Sequence, residues 1–264
     1  MTTDSPTYRT GLGASDADHI WLLGEDLADD LLGRITFGEL AYWMVCKRRP
    51  TEGQRALFEA VLVALADHGF TPTAIAARVT YLSAPDSLQG AVASGLLGGG
   101  SRFLGVTEDA ANFLHDVIEG CDDLPTDEAR WDDLARRVVA EARAERRFVP
   151  GLGHPVHKER DPRTPRLFEL AREHDVFGPH LALFAGIGRV AEEVLGRRLP
   201  LNGAGVCGAV LADIDFPLGV ARGAALLARC AGLLGQLAEE ISDPIASDMY
   251  MNIDRNTDYQ PPVG

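Results

Sequence analysis

The chain has 264 residues, 46% hydrophobic and 24% charged, enough apolar side chains for a sizeable core, which excludes disorder. Lys plus Arg number 25 against 39 for Asp plus Glu, and the formal net charge of −14 argues against a nucleic-acid surface or a polybasic membrane anchor. Cys46, Cys121, Cys207 and Cys230 form no C-x-x-C pair, so neither a zinc nor a redox motif is supported, no metal is expected, and a reduced cytoplasm fits best. The N-terminus lacks a basic segment followed by an apolar stretch, and uncharged apolar runs such as 199–212 fall short of a spanning helix, so neither export nor membrane insertion is expected.

In chain order, Ile20, Trp21, Leu22 and Leu23, stopped by Gly24, predict a short strand or hairpin. Thr36 followed by Glu39 reads as a capping box that opens a helix through Met44. Leu57, Val61 and Leu65 recur every four residues, and Leu183, Ile187, Val190 and Val194 follow at intervals of four, three and four. Thr71-Pro72 and Thr164-Pro165 each place a hydroxyl at a cap and a proline at the first helical position. Residues 203–212 and 217–238, rich in Gly, Ala and Leu on all faces, predict helices packed inside the core. With no run of β-branched residues, the chain reads as all-α, nine or ten helices in a single unit over 1–264, with polar ends at 1–8 and from about 254.

One stretch breaks the helical pattern. Residues 148–163 hold three prolines, two glycines and two histidines in a long loop, and long irregular loops in compact domains are often functional. Val149, Pro150, Gly151, Leu152 and Gly153 offer backbone groups with little side-chain obstruction, which suits a flat or phosphorylated ligand. His154 follows as an acid or base for neutral pH. Arg163, next to a predicted helix start, is placed to grip a carboxylate together with the helix N-terminus. Between Arg143 and Arg166 seven cations face three acids, whereas 103–129 hold eight acids and no Lys or Arg. The plainer reading of those arginines is solvated pairing on helix ends. His68, in a turn between two predicted helices, either points into a cleft or simply favours a helix C-terminus. His157 and Lys158 read as a solvated loop that reaches phosphate at most, and His19, His115, His174 and His180 as surface or cap residues.

Pro-Gly-Leu-Gly-His over 150–154, followed by Asp-Pro-Arg over 161–163, resembles the signature of citrate synthases. Ala-Asp-His-Gly at 66–69, Ser-Gly-Leu-Leu at 94–97 and Gly-Leu-Leu-Gly-Gln at 232–236 resemble the short citryl-CoA lyases and the citryl-CoA-cleaving module of ATP-citrate lyase. The resemblance implies a citrate synthase-like, multi-helical homodimer that binds an acyl-CoA and makes or breaks the bond between an acetyl-CoA carbon and a keto acid such as oxaloacetate. It implies catalytic roles for His68 and His154, and substrate binding by Arg163, Arg229 and Asn202; Arg102, in the glycine-rich run, either takes over part of the enolate or carboxylate stabilisation or forms a structural salt bridge. Coenzyme A would be held by residues 149–153 and by Arg198, within a binding region around 148–175.

The departures are as informative. The run 201–205 puts Ala204 where the family carries an aspartate that moves the acetyl proton, and the glycine-rich run 98–103 lacks the family's enol-stabilising histidine. Asp213 and Asp215 lie roughly 13–17 Å along a helix from Ala204 at about 1.5 Å per residue, too far to substitute. Asp215 reads as a helix cap, and Asp67 as facing solvent or a loop amide. Cleavage asks less than synthesis. One of His68 and His154 takes a hydroxyl proton while the other donates, and arginines hold the acid. The expected activity is therefore citryl-CoA lyase-type retro-Claisen cleavage, with a non-catalytic CoA-thioester binding or regulatory protein, or an acyl-CoA hydrolase or decarboxylase, as alternatives.

Overall fold

The computed structural model describes residues 7–262. Gly13–Ser15 (β1), Ile20–Leu22 (β2) and Glu25–Asp26 (β3) form a small antiparallel sheet in the order β1-β2-β3, one strand more than the expected hairpin. Eleven α-helices follow among the described residues: α1 (Phe37–Cys46), α2 (Glu52–Ala66), α3 (Pro72–Ser83), α4 (Leu88–Leu97), α5 (Val106–Glu119), α6 (Glu128–Ala144), α7 (Arg163–Glu173), α8 (Pro179–Leu195), α9 (Gly203–Asp213), α10 (Ala221–Ser242) and α11 (Ala246–Arg255). The expected tails fall partly outside the described residues, and α11 extends order through Arg255.

Helix starts follow local chemistry, though not always at the residues the motifs indicate. Thr36 accepts the Glu39 amide at 3.1 Å, but the Glu39 carboxylate faces Arg49 rather than closing the box. The reciprocal box forms at α2, where Thr51 and Gln54 each accept the other's backbone N–H. Helix α7 begins at Arg163, one residue before the predicted Thr164 cap, because Asp161 accepts the Arg163 amide at 3.1 Å. Thr164 instead donates its hydroxyl to the Leu201 carbonyl.

The core gathers around α9. Most of its residues are buried, as their Gly and Ala content predicts. Its packing on α5 is close enough that a Cβ on Gly208 would lie 2.3 Å from the Thr107 carbonyl oxygen. Leu57, Val61 and Leu65 on α2 and Leu183, Ile187 and Val190 on α8 are buried, and Val194 packs half-buried beside them. Helix α10 departs from expectation: it is one-sided, burying Ala224, Ala228 and Leu233 while Leu234 and Ile241 face out. By length and composition alone the helical stretch Leu218–Ser242 matches a membrane span, yet it packs against α2, α3, α4 and α5 and carries the buried Arg229.

Two acids take structural tasks that the sequence reading missed. Asp213, at the end of α9, accepts the amides of Gly178, His180 and Leu181 and so caps α8 from a distance. His180, expected at the surface or at a cap, is buried in the first turn of α8 with its Nδ1 2.7 Å from the same carboxylate. Asp215 caps no helix; it receives the side chains of Arg48 and Gln54.

Candidate active site

The glycine turn is built against α9. Gly151 and Gly153 adopt φ of +89° and +83°, where glycine carries no Cβ penalty. At Gly151 a Cβ would also meet Phe184 at 2.7 Å and the Gly205 Cα at 2.9 Å. Leu152 and Leu201 form an isolated antiparallel bridge, in which the Asn202 amide donates to the Gly151 carbonyl and the Gly153 amide to the Pro200 carbonyl, both at 2.8 Å. Asn202 caps α9 with Oδ1 on the Gly205 amide and donates Nδ2 to the Gly153 carbonyl. It ties the turn to the helix. These bonds occupy much of the backbone that the sequence reading left open for a ligand, and the Pro150 and Leu152 carbonyls have no hydrogen-bond partner among the described residues.

Beside this turn lies a cavity of about 780 Å³. Its wall includes His68, Arg102, residues 149–153, His154, Arg163, Asn202, Ala204 and Arg229. Of the predicted site residues, Arg198 stands apart: it pairs with Glu159 at 2.7 Å, is 60% exposed, and does not line the cavity.

The wall is cationic. Arg163 is oriented by Asp161, which accepts its Nε at 3.0 Å and its Nη2 at 2.7 Å, and by the Ala64 carbonyl, which accepts Nη1. Three of the five guanidinium hydrogens are thus used, leaving one on each terminal nitrogen. The guanidinium lies directly on α9, since a Cβ on Gly203 would come within 2.2 Å of its Nε. Asp161 is fully buried. Burial opposes its ionisation, but the Arg163 hydrogen bonds and the Gly203 amide at 2.7 Å overcome that and hold its carboxyl down at about 2.

Arg229 reaches the cavity from α10, which crosses α2 closely: a Cβ on Gly232 would lie 1.9 Å from the Ala66 carbonyl oxygen. Arg229 is 7% exposed, it faces Asp67 at 3.6 Å, and its Nε and Nη1 have no hydrogen-bond partner among the described residues. Burial lowers its pKa, Asp67 opposes this, and Arg163 adds to it. A buried guanidinium with unused donors is complementary to an anionic ligand. Arg102 lines the same cavity without an ion pair among the described residues, and the lining contains one carboxylate, the exposed Asp109. Ala204 is the residue of the first turn of α9 that opens onto the cavity. It presents a methyl group and an amide without a partner among the described residues, whereas the Gly203, Gly205 and Val206 amides are bonded to Asp161, Asn202 Oδ1 and the Asn202 carbonyl.

Two imidazoles, His68 and His154, line the cavity, and a third, His157, packs against both. His68, in the turn after α2, stacks on His154 at 5.3 Å between ring centroids, and His157 lies 4.5 Å from His154 and 5.4 Å from His68. His154 Nδ1 accepts the Val156 and His157 amides at 3.1 and 3.0 Å. With Nδ1 an acceptor, the neutral ring carries its proton on Nε2, so it presents a donor. Burial, reinforced by His157, holds the His154 pKa below its ordinary value; Asp161 opposes this. One nitrogen from each ring lies within 4.8 Å of the others, a spacing that admits a metal ion. A ligating Nε2 normally requires a proton on Nδ1, however, and the two amides aimed at His154 Nδ1 disfavour that form.

The structure thus brings together His68, His154, Arg102, Arg163, Arg229 and the glycine turn. Sequence reasoning missed the orienting role of Asp161 and the place of His157 within the cluster. The Asp-Pro-Arg motif held the signal for the first, and no local pattern held one for the second. Of the seven cations at 143–166, Arg163 lines the cavity; Arg147 pairs with Glu145, and Arg166 with Glu169 and Glu173.

Fold and cavity define a class: a helical protein whose glycine turn and helix N-termini close an arginine- and imidazole-lined cleft. The family described as citrate synthase, C-terminal domain, matches residues 26–248, and the chain belongs to the citrate synthase family. It is 25% identical over 211 residues to a citrate synthase from Synechocystis sp., covering 76% of this chain and 48% of that relative, so it spans about half the length of that enzyme. Among solved structures it is similar to citryl-CoA lyase from Hydrogenobacter thermophilus, with a TM-score of 0.84 and 28% identity over 98% of this chain and 97% of that one. It also shares its fold with ATP citrate lyase from Methanothrix soehngenii in complex with citrate and coenzyme A, with a TM-score of 0.80, 22% identity, and coverage of 98% and 42%.

Proposed function

We propose that this chain is a carbon–carbon lyase of the citryl-CoA lyase type, which cleaves citryl-CoA or a related 3-hydroxyacyl-CoA to acetyl-CoA and a keto acid such as oxaloacetate. The observation that carries the reading is the pairing of a donor-locked His154 with unused arginine donors around one cavity. Coenzyme A lies along the turn 149–153, with the Pro150 and Leu152 carbonyls available to its adenine amine. Arg163 and Arg229 hold the carboxylates of the keto-acid half, and Arg102 supplies a further cation. Arg198, tied to Glu159, takes no part unless that pair opens.

The tautomer of His154 supports a division of roles between the two histidines. His154 offers Nε2–H to stabilise oxygen charge as the bond breaks, and His68, with no side-chain hydrogen bond to fix its tautomer, takes the hydroxyl proton. The electron pair of the broken bond passes to the thioester enolate, whose carbon is then protonated. Ala204 supplies no acid for that step, so the chain releases acetyl-CoA more slowly than a site with a positioned carboxylate, by about 10²–10⁴-fold. The methyl group that Ala204 presents to the cavity also supports a second reading, a CoA-thioester binding protein with little turnover.

Two measurements separate these readings. Calorimetry with coenzyme A tests the site itself, and citryl-CoA cleavage by the Ala204→Asp variant tests the chemistry. Cleavage by the wild type that quickens in the variant supports the lyase assignment, cleavage confined to the variant supports the binding reading, and no binding of any CoA thioester defeats both. We further propose a cytoplasmic homodimer, consistent with four free cysteines and tested for assembly by light scattering in solution.

A further inference from the structure

Two imidazoles of the cluster, those of His68 and His157, make no side-chain hydrogen bond among the described residues. His157 is half-buried between the exposed Val156 and Lys158, so it touches the cavity cluster on one side and solvent on the other. One nitrogen from each of the three rings lies within 4.8 Å of the others. One water bridges such a gap, because two hydrogen bonds of about 2.8 Å span it. His154 cannot carry a proton between the other two while its Nδ1 is held by the Val156 and His157 amides.

We infer that His157 is a positioning and relay residue: it passes the proton taken up by His68 to solvent, and its own amide holds His154 in the donor tautomer. The inference rests on the lyase reading above. In each cleavage the hydroxyl O–H bond breaks and its proton moves to His68. The carbon–carbon bond breaks with its electron pair on the thioester enolate, and a C–H bond forms there with a proton from water. The His68 proton leaves through His157, so no net charge accumulates and no oxidant or reductant is needed. The charged groups around His157 are accounted for. His68 faces it from the turn after α2, and His154 faces it from its own loop. The Lys158 ammonium is turned to the His154 carbonyl at 3.1 Å, Glu159 is paired with Arg198, and Asp161 with Arg163.

The test uses the full chain and His157→Gln, which keeps a polar side chain and the backbone amide but cannot titrate near neutrality. The expected result is a fall in kcat for citryl-CoA cleavage of about 10²-fold, with KM and coenzyme A affinity unchanged, an altered pH profile, and partial rescue by added imidazole. Cleavage indistinguishable from wild type overturns the relay alone. So does a loss that imidazole does not rescue and that leaves the pH profile unmoved, since that marks a structural role. Stoichiometric Zn²⁺ binding by the wild type that is lost in His157→Gln also overturns it, because His157 would then be a ligand. A wild-type chain that binds coenzyme A but cleaves nothing defeats the lyase reading, and the relay with it.

Discussion

Replacing Asp161 by Asn removes the charge that orients Arg163 while keeping the side chain's size. The carboxyl stands at about 2 in the folded chain against an ordinary 3.8. At about 1.36 kcal/mol per unit, that difference corresponds to roughly 2.5 kcal/mol of stabilisation at neutral pH. Because the folded pKa is depressed, this stability is present above 3.8 and is lost as pH falls towards 2. The variant leaves a guanidinium that is 22% exposed without its acid, and breaking such buried pairs costs about 3–5 kcal/mol. An amide still accepts one of the bonds, so we expect a loss of about 2–4 kcal/mol. Urea unfolding at pH 7 and at pH 3 measures it. The wild type should lose part of its advantage over Asp161→Asn at the lower pH, and KM for the thioester should rise because Arg163 loses its charged partner and one of the two bonds that fix its guanidinium plane. A variant within about 0.5 kcal/mol of wild type at pH 7, with an unaltered KM, would refute the orienting role.

Other outcomes follow from the same geometry. His154→Ala should reduce cleavage by at least about 10²-fold while leaving coenzyme A binding within a few-fold, as steady-state kinetics and calorimetry would show. His154 has a lowered folded pKa, so the unfolded chain binds more protons near 6.5; its contribution to stability is therefore lost as pH falls through that value, and a histidine-resolved NMR titration should find its midpoint below 6.5. Gly232→Ala should cost about 1–3 kcal/mol in thermal or urea unfolding, because its Cβ collides with the Ala66 carbonyl and must move α10 and Arg229 with it. Gly151→Ala should weaken coenzyme A binding as well as stability, since its φ of +89° and the Phe184 contact both exclude a side chain.

Helix type and core faces were legible because they depend on periodicity within one segment, as Leu57, Val61 and Leu65 show. The tight Gly-rich packing of α9 was legible for the same reason. Cap positions were less so: the Thr164-Pro165 pair has the right chemistry for a start, yet Asp161 reaches the Arg163 amide first. The turn 149–153, His154 and Arg163 stood out through a local motif. Charge counted along the chain misdirected the reading, because the cavity draws its arginines from three distant segments at 102, 163 and 229 while most of the cations at 143–166 lie outside it. His157 was read as solvated because its partner His68 is contributed by a turn 89 positions earlier in the sequence. The fully buried role of Asp161 likewise depends on Gly203, which no spacing rule connects to it.

The central claim is that the cavity beside the glycine turn cleaves a carbon–carbon bond in a CoA thioester. Incubating the chain with citryl-CoA and quantifying products by mass spectrometry tests it most directly. The account predicts acetyl-CoA and oxaloacetate in equal amounts, formed faster by Ala204→Asp than by wild type and suppressed in His154→Ala. Free coenzyme A with citrate would show hydrolysis in place of carbon–carbon cleavage, and citryl-CoA recovered intact from the wild type would contradict the assignment, whether or not Ala204→Asp cleaves it.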